Sequence, residues 1–239
     1  MTDRRAAWRA VWNSRQTDRR GKSTLDRLIS VDGFDSAFGG AIESGDWIRY
    51  LDSIAAKLGV EPGDSIFEVG CGAGAFLYPF FVKGHRVAGI DYSEHLTEIA
   101  RDAMPGIPIL VDEAIEMPAD LRFDFVTSHS VFFYFHDLRY AATVLRKMNL
   151  AAVKGVGIFD VPDAAKKKEA MQYRKGKLGN DEYERRYKGL THLYYERSWF
   201  ERTLAGEDLD VVTEDQDIPG YGNNRYRFNV FMRRKGRSK

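Results

Sequence analysis

The chain has 239 residues, 44% hydrophobic and 30% charged, with a formal net charge of +1 and one cysteine. This is the composition of a globular domain able to bury its own core. A single cysteine excludes an internal disulfide and any cysteine-rich zinc site, and no apolar run approaches the roughly 18 residues of a membrane helix. A reducing cytoplasm is the expected compartment. Neither a secretory signal, a membrane nor a metal is expected. Charge is concentrated at the ends: residues 1–24 hold seven Lys/Arg against two Asp, and the tail reads "RRKGRSK". Such ends are usually solvated faces.

In chain order, residues 1–43 show weak periodicity and a glycine-rich end, "DGFDSAFGG", which suggests a mobile or lid-like leader. Trp8 and Trp12 lie four apart in it, with Arg15 following; as a lid they would close over a site. "DWIRYLDSIAAKLGV" then places Trp47, Ile48, Leu51, Ile54, Ala55 and Leu58 on one helical stripe closed by Gly59. "SIFEVG" reads as a strand, "AFLYPFFVKGH" as a helix, "RVAGID" as a strand and "SEHLTEIARDAM" as a helix capped by Ser93. "IPILVD" and "FDFVTSHS" are strands three and four. "HDLRYAATVLRKM" is a helix with Leu138, Ala141, Ala142, Leu145 and Met148 at helical spacing, and "GVGIFDV" is strand five. Apolar strands separated by helices imply a parallel sheet covered on both faces. Residues 163–196 form a charged insertion, followed by the helix "SWFERTLAG". "LDVVTEDQD" and "RYRFNVFMRR", joined by "IPGYGNN", suggest an antiparallel pair. The expected domains are therefore a leader over 1–43 and a single folded unit over 44–239.

The chemistry concentrates at "FEVGCGAGAF", where Gly70, Gly72 and Gly74 fall between a strand and a helix. Glycines there let the backbone approach a ligand and leave helix N-terminal amides free to donate. Spacing alone leaves two ligands open, because Gly70, Gly72 and Ala75 also satisfy the dinucleotide pattern G-x-G-x-x-G/A. Asp91 ends the second strand 21 positions after Gly70, a place for a carboxylate that accepts ribose hydroxyls in either case. Two features favour a cofactor other than a dinucleotide. Glu68 sets a carboxylate before the first glycine, suited to a ligand ammonium. "VDEA" ends the third strand, so that Asp112 can receive an adenine amino group while the Glu113 and Ala114 amides face the ring.

With these motifs the sequence resembles the class I S-adenosylmethionine-dependent methyltransferases, of the small-molecule (natural-product or sugar) type. The match runs over residues 44–162, through "EVGCGAG", "GIDYS", "VDEA" and "FDFVTSHSVFFYF". The resemblance implies an α/β, Rossmann-like, doubly wound and mostly parallel seven-stranded sheet of order 3-2-1-4-5-7-6 with a terminal antiparallel strand pair. It implies S-adenosyl-L-methionine as cofactor. Glu68, Gly70, Cys71, Gly72 and Gly74 would lie along its methionine part, Asp91 at the ribose, and Tyr92, Asp112, Glu113 and Ala114 around the adenine, with Ser128 beside the cofactor.

Methyl transfer from a sulfonium needs an aligned, desolvated nucleophile more than a catalytic triad. In "SHSVFFYFHD" His129 is the candidate general base, since neutral imidazole takes a proton near pH 7; His136 precedes a helix and reads as structural. Acceptor-binding candidates are Trp12, Tyr134, His192 and Tyr195, with Tyr221, Asn224 and Arg225 at the tip of the last hairpin. The expected activity is methylation of an oxygen or nitrogen of a small polar metabolite, a sugar derivative or natural-product intermediate. The absence of an N/D-P-P-Y/F motif and of a base-stacking platform argues against a nucleic-acid partner. Methylation of RNA or protein, an NAD-dependent oxidoreductase and a non-catalytic binding protein are the competing readings. A homodimer is compatible with all of them.

Overall fold

The computed structural model describes residues 8, 11–15, 23–34, 42–187, 190 and 192–235. Most of "DGFDSAFGG" and the last four residues of the basic tail lie outside them. Seven strands form one sheet: β1 (Ser65–Val69), β2 (Arg86–Asp91), β3 (Ile109–Val111), β4 (Phe123–His129), β5 (Ala152–Pro162), β6 (Leu209–Asp215) and β7 (Arg227–Arg234). Their order is β3-β2-β1-β4-β5-β7-β6. The first five strands pair in parallel, and β7 runs antiparallel to both β5 and β6. This is the order the resemblance implies.

Every residue of β1 is buried, as a parallel strand covered on two faces requires. One face is covered by α1 (Thr24–Val31), α2 (Ser44–Leu58), α3 (Leu77–Val82) and α4 (Glu94–Ala103). The other is covered by α5 (Leu138–Ala151) and α8 (Trp199–Thr203), with Leu145, Met148, Phe200 and Phe228 in its core. Between β5 and α8 the charged insertion forms α6 (Lys167–Leu178) and α7 (Asn180–Tyr187).

Helix α2 buries Trp47, Tyr50, Leu51, Ile54 and Leu58 and ends on Gly59 at φ 80°, the left-handed closing turn that glycine favours. Ile48, expected on its stripe, is 37% exposed, one position round the helix from Trp47. The Trp47 side chain has no solvent exposure, and its indole Nε1 donates to Ala75 O at 2.8 Å, tying α2 to the glycine loop. Leu138 likewise points outward at the first turn of α5. Helix α3 is shorter than expected, because the loop ahead of it continues to Phe76. Helix α4 is capped by Ser93, whose side chain accepts from the Leu96 amide.

The leader carries a helix of its own. It contains α1, opened by a reciprocal capping box between Ser23 and Asp26 and carrying Leu25, Leu28, Ile29 and Val31 into the main core. Its described residues Leu25, Leu28, Ile29, Val31, Phe34 and Ile42 are therefore part of the domain's core.

Candidate active site

The carboxyl ends of β1, β2, β4 and β5 converge on a cavity of about 150 Å³, the place where open α/β sheets hold ligands. On one side, β1 runs into the glycine loop. Gly70, Gly72 and Gly74 have φ of 74°, 51° and 92°, in the region glycine occupies at no steric cost. A Cβ on Gly70 would stand 2.3 Å from the Val131 side chain, and one on Gly72 would stand 2.5 Å from Asp32 Oδ1. The amides of Gly70 and Cys71 both donate to Ile90 O, which fixes the loop to the end of β2.

Asp91 closes that end. Its Oδ2 accepts from the Gly72 amide at 2.9 Å and its Oδ1 from the Ser93 amide at 2.8 Å. Each oxygen keeps a second lone pair for a ligand. Burial raises its pKa to about 6, with the two amides opposing. Beneath the loop, Glu68 Oε2 is buried without a partner. Burial, with Asp32 and Asp91 nearby, raises its pKa well above the usual carboxylate range. A buried, unsatisfied carboxylate is costly unless a ligand completes it.

Asp32, from the end of α1, completes this side. Its two oxygens accept from the Ala73 amide at 2.7 Å and the Ala75 amide at 3.0 Å. Burial raises its pKa to about 7, against the pull of those amides. Sequence reading missed Asp32, because its partners lie 41 and 43 positions away. The capping box at Ser23 is the one local signal that could have placed it.

The opposite side is aromatic with a polar floor. Trp8, Trp12, Phe34, Phe76, Phe133 and Tyr134 line it. Tyr134 meets Trp8 and Trp12 edge-on, with ring centroids 4.6 and 5.5 Å apart. The floor is Ser130, Asp160 and Tyr221, linked by hydrogen bonds from Ser130 Oγ (2.6 Å) and Tyr221 Oη (3.3 Å) to Asp160 Oδ2. Gln216 Nε2 donates to Asp160 Oδ1 at 2.9 Å, and Arg227 Nε lies 3.5 Å from the same oxygen.

Of the expected site residues, Glu68, Gly70, Cys71, Gly72, Asp91, Tyr92, Asp112, Glu113, Ala114, His129, Trp12, Tyr134 and Tyr221 line this cavity. His136 lines it too, and its Nε2 lies 3.4 Å from Asp137 Oδ2. Gly74 lies behind the loop, against Met104. Ser128 is buried, with Oγ donating to Val69 O at 2.9 Å. His192 stacks on Trp8 at 5.3 Å, in a layer behind the wall.

Three acceptor candidates sit elsewhere. Tyr195 is 1% exposed in the opposite core, its hydroxyl donating to Phe132 O at 2.7 Å. Asn224 spans its own turn, accepting from the Ile218 amide and donating to Ile218 O. Arg225 is exposed and faces Glu169 across 3.3 Å. The structure thus gives these three structural partners instead of a place in the cavity.

His129 is 5% exposed and ringed by Phe34, Trp47, Tyr50 and Phe76. Its Nε2 is 3.3 Å from Tyr50 Oη and its Nδ1 3.1 Å from Ser130 Oγ. Burial lowers its pKa to about 4, with Asp160 opposing. Both ring nitrogens have polar neighbours, so His129 bridges Tyr50 and Ser130.

Residues 67–149 match the family model of the methyltransferase domain. That stretch holds the glycine loop, Asp91, Glu113 and the end of β4. A methyltransferase domain therefore occupies residues 67–149, within a chain of the class I, Rossmann-like methyltransferase fold. The whole chain is similar in fold to magnesium protoporphyrin IX methyltransferase from Synechocystis PCC 6803, solved with bound SAH. The identity is 15%, the TM-score 0.64, and 98% of this chain and 100% of that one are covered. The plantazolicin methyltransferase BpumL is also 15% identical, with a TM-score of 0.63 over 96% of this chain and 94% of that one. NodS, an N-methyltransferase from Bradyrhizobium japonicum, is 15% identical with a TM-score of 0.55, over 78% and 85%. At such identities the likeness is one of fold. No curated protein sequence matches the chain.

The methyltransferase's own residues suit its cofactor. The glycine loop follows a left-handed backbone path into the cavity on which a Cβ would collide with Val131 or Asp32, and the orphaned Glu68 oxygen suits an ammonium. Among the described residues no helix is long and apolar enough to cross a membrane, and no group of three or more His, Cys, Asp or Glu could hold a metal ion.

Proposed function

We propose that the methyltransferase modifies a nitrogen or oxygen of a small polar metabolite, such as a sugar derivative or natural-product intermediate, held between the aromatic wall and the polar floor. The observation that carries this reading is the continuity of one cavity from the glycine loop to Asp160 and Tyr221. Its size suits a small molecule better than a polymer.

When bound, S-adenosylmethionine supplies a methyl group on a positively charged sulfur. Glu68 and the glycine loop would hold its methionine end, Asp91 its ribose, and Asp112, Glu113 and Ala114 its adenine. Trp8 and Trp12, from the leader, wall off the acceptor side and exclude water. Phe133 and Tyr134 orient the acceptor's apolar part, and the floor engages its polar head. His129 passes order from Tyr50 to Ser130.

Calorimetric titration with S-adenosylmethionine, S-adenosylhomocysteine and NAD, on the wild type and on Asp91→Ala, tests the cofactor half. The expected result is binding of the two sulfur ligands alone, weakened about 100-fold or more in the variant, as loss of charged hydrogen bonds of roughly 1.5–3 kcal/mol each implies. Mass spectrometry of a panel of small amines and hydroxylated compounds incubated with cofactor then tests the acceptor half. Methylation of RNA or protein with none of the small molecules modified would reject it.

A further inference from the structure

The geometry points to a defined nucleophile subsite, Ser130 Oγ and Tyr221 Oη backed by Asp160, that takes a primary amine in preference to a hydroxyl. This rests on reading the cavity's aromatic side as the acceptor half of the methyltransferase.

The backbone itself marks the place. Ser130 and Asp160 have φ of 57° and 58° and are the only non-glycine residues with positive φ among the described ones. Each such conformation costs on the order of 1 kcal/mol or more and persists where the surroundings impose it. Ser130 follows the end of β4, and its amide donates to Phe159 O. Asp160 falls where the register of β5 against β7 shifts, between Ile158 and Val161. Two neighbouring strand ends are thus bent at the same point, and both bent residues line the cavity.

The direction of the hydrogen bonds then selects the ligand. A hydroxyl owns one proton. Ser130 and Tyr221 both give theirs to Asp160 Oδ2, at 2.6 and 3.3 Å. The carboxylate is kept as an acceptor by Gln216 and Arg227 at its other oxygen. On the far side, Tyr50 Oη lies 3.3 Å from His129 Nε2 and 3.5 Å from Asn229 Oδ1; because the Ser130 proton is committed to Asp160, the 3.1 Å contact between Ser130 Oγ and His129 Nδ1 needs its hydrogen on Nδ1, which donates. Ser130 Oγ is then left with one lone pair, and Tyr221 Oη, which also takes a hydrogen bond from the Asn223 side chain, likewise has only a lone pair to offer. Two acceptors with no proton to return call for a ligand atom carrying two hydrogens. A neutral primary amine has them and keeps its lone pair for the methyl carbon, whereas an alcohol has one.

The wider lining agrees. Asp32, Glu68, Asp91, Asp112, Glu113 and Asp160 contribute carboxylates to the cavity, and no described lining residue is Lys or Arg. The neighbouring Phe133 and Tyr134 rings would carry the amine's apolar substituent.

The test uses the full chain saturated with S-adenosylhomocysteine and two probes that differ only in the head group, 2-phenylethylamine and 2-phenylethanol. Titration calorimetry is run on the wild type, Ser130→Ala and Tyr221→Phe. The amine is expected to bind about 10-fold tighter than the alcohol, the equivalent of one net hydrogen bond. Each substitution should cut that preference to about threefold or less while S-adenosylhomocysteine affinity stays within about twofold. General attraction of a cation to an acidic cavity would survive both substitutions, since neither alters charge, and that result would overturn the assignment. Equal binding of the two probes, or binding of neither, would overturn it as well. Failure of the wild type to bind S-adenosylhomocysteine would instead bring down the methyltransferase reading and the subsite with it.

Discussion

The two sides of the cavity are built by different means. The cofactor side is nearly contiguous: Glu68 to Ala75 form one loop, and Asp91 reaches Gly72 across 19 positions. The acceptor side is gathered from afar, with Tyr50 meeting His129 across 79 positions, Ser130 meeting Asp160 across 30 and Tyr221 meeting Asp160 across 61. Chemistry shared by many proteins sits in short motifs with fixed backbone geometry. The aromatic wall and polar floor are spread over strand ends, a hairpin and the leader, where no single segment carries them.

The largest effect is expected from the loop. Gly70→Ala would place a Cβ 2.3 Å from Val131 in a left-handed conformation at φ 74°. Substitutions of this kind cost about 1–3 kcal/mol. S-adenosylhomocysteine affinity should fall at least about 10-fold, with a lower Tm. Normal affinity would mean that the two sides are less separate in their demands than the geometry indicates.

An intermediate effect concerns Asp32, which joins the leader to the loop. With folded pKa values of about 7 for Asp32 and about 6 for Asp91, against 3.8 when unfolded, the native state binds more protons than the unfolded state between those limits. Stability from both groups is therefore complete below pH 3.8 and is lost as pH rises through 6 and 7. Asp32→Asn should flatten the decline in Tm between about pH 4 and 7 relative to wild type. Parallel curves for the two proteins would remove Asp32 from that role.

The smallest effect belongs to the hairpin turn. Asn224→Ala removes the two hydrogen bonds to Ile218 and should lower stability by about 1–2 kcal/mol in a denaturant titration, with cofactor affinity unchanged. A loss of cofactor affinity would couple the hairpin to the far side of the cavity.

The same division decides what could be read from sequence. The alternation of strands and helices, Gly59 at the end of α2 and the cofactor loop follow from local periodicity and glycine chemistry. Ile48 and Leu138 were misplaced because an apolar residue at helical spacing need not face the core when neighbouring positions already fill it. Asp32 escaped because an acid in a weakly periodic leader looks like solvated charge until the Ala73 and Ala75 amides are brought to it. Tyr195, Asn224 and Arg225 look like ligand groups by type, yet each found a partner within the protein: a carbonyl, its own turn and a surface carboxylate. His129 lies at the carboxyl end of β4, but its neighbours Tyr50 and Ser130, one of them 79 positions away, are brought to its nitrogens only by the fold. Asp160 reads in sequence as one acid at the end of an apolar strand, and no period reports a register shift.

That irregular point in β5 has an evolutionary consequence. Side chains along a strand alternate between faces, so a change of one residue in pairing register turns each following side chain to the other face. At Asp160 the pairing with β7 is already interrupted, so the sheet can absorb a change of length there without disturbing β1 to β3. A descendant that gained or lost a residue at this step would present a different side chain to the acceptor while keeping its cofactor loop intact, and so could exchange one substrate for another in a single mutational event.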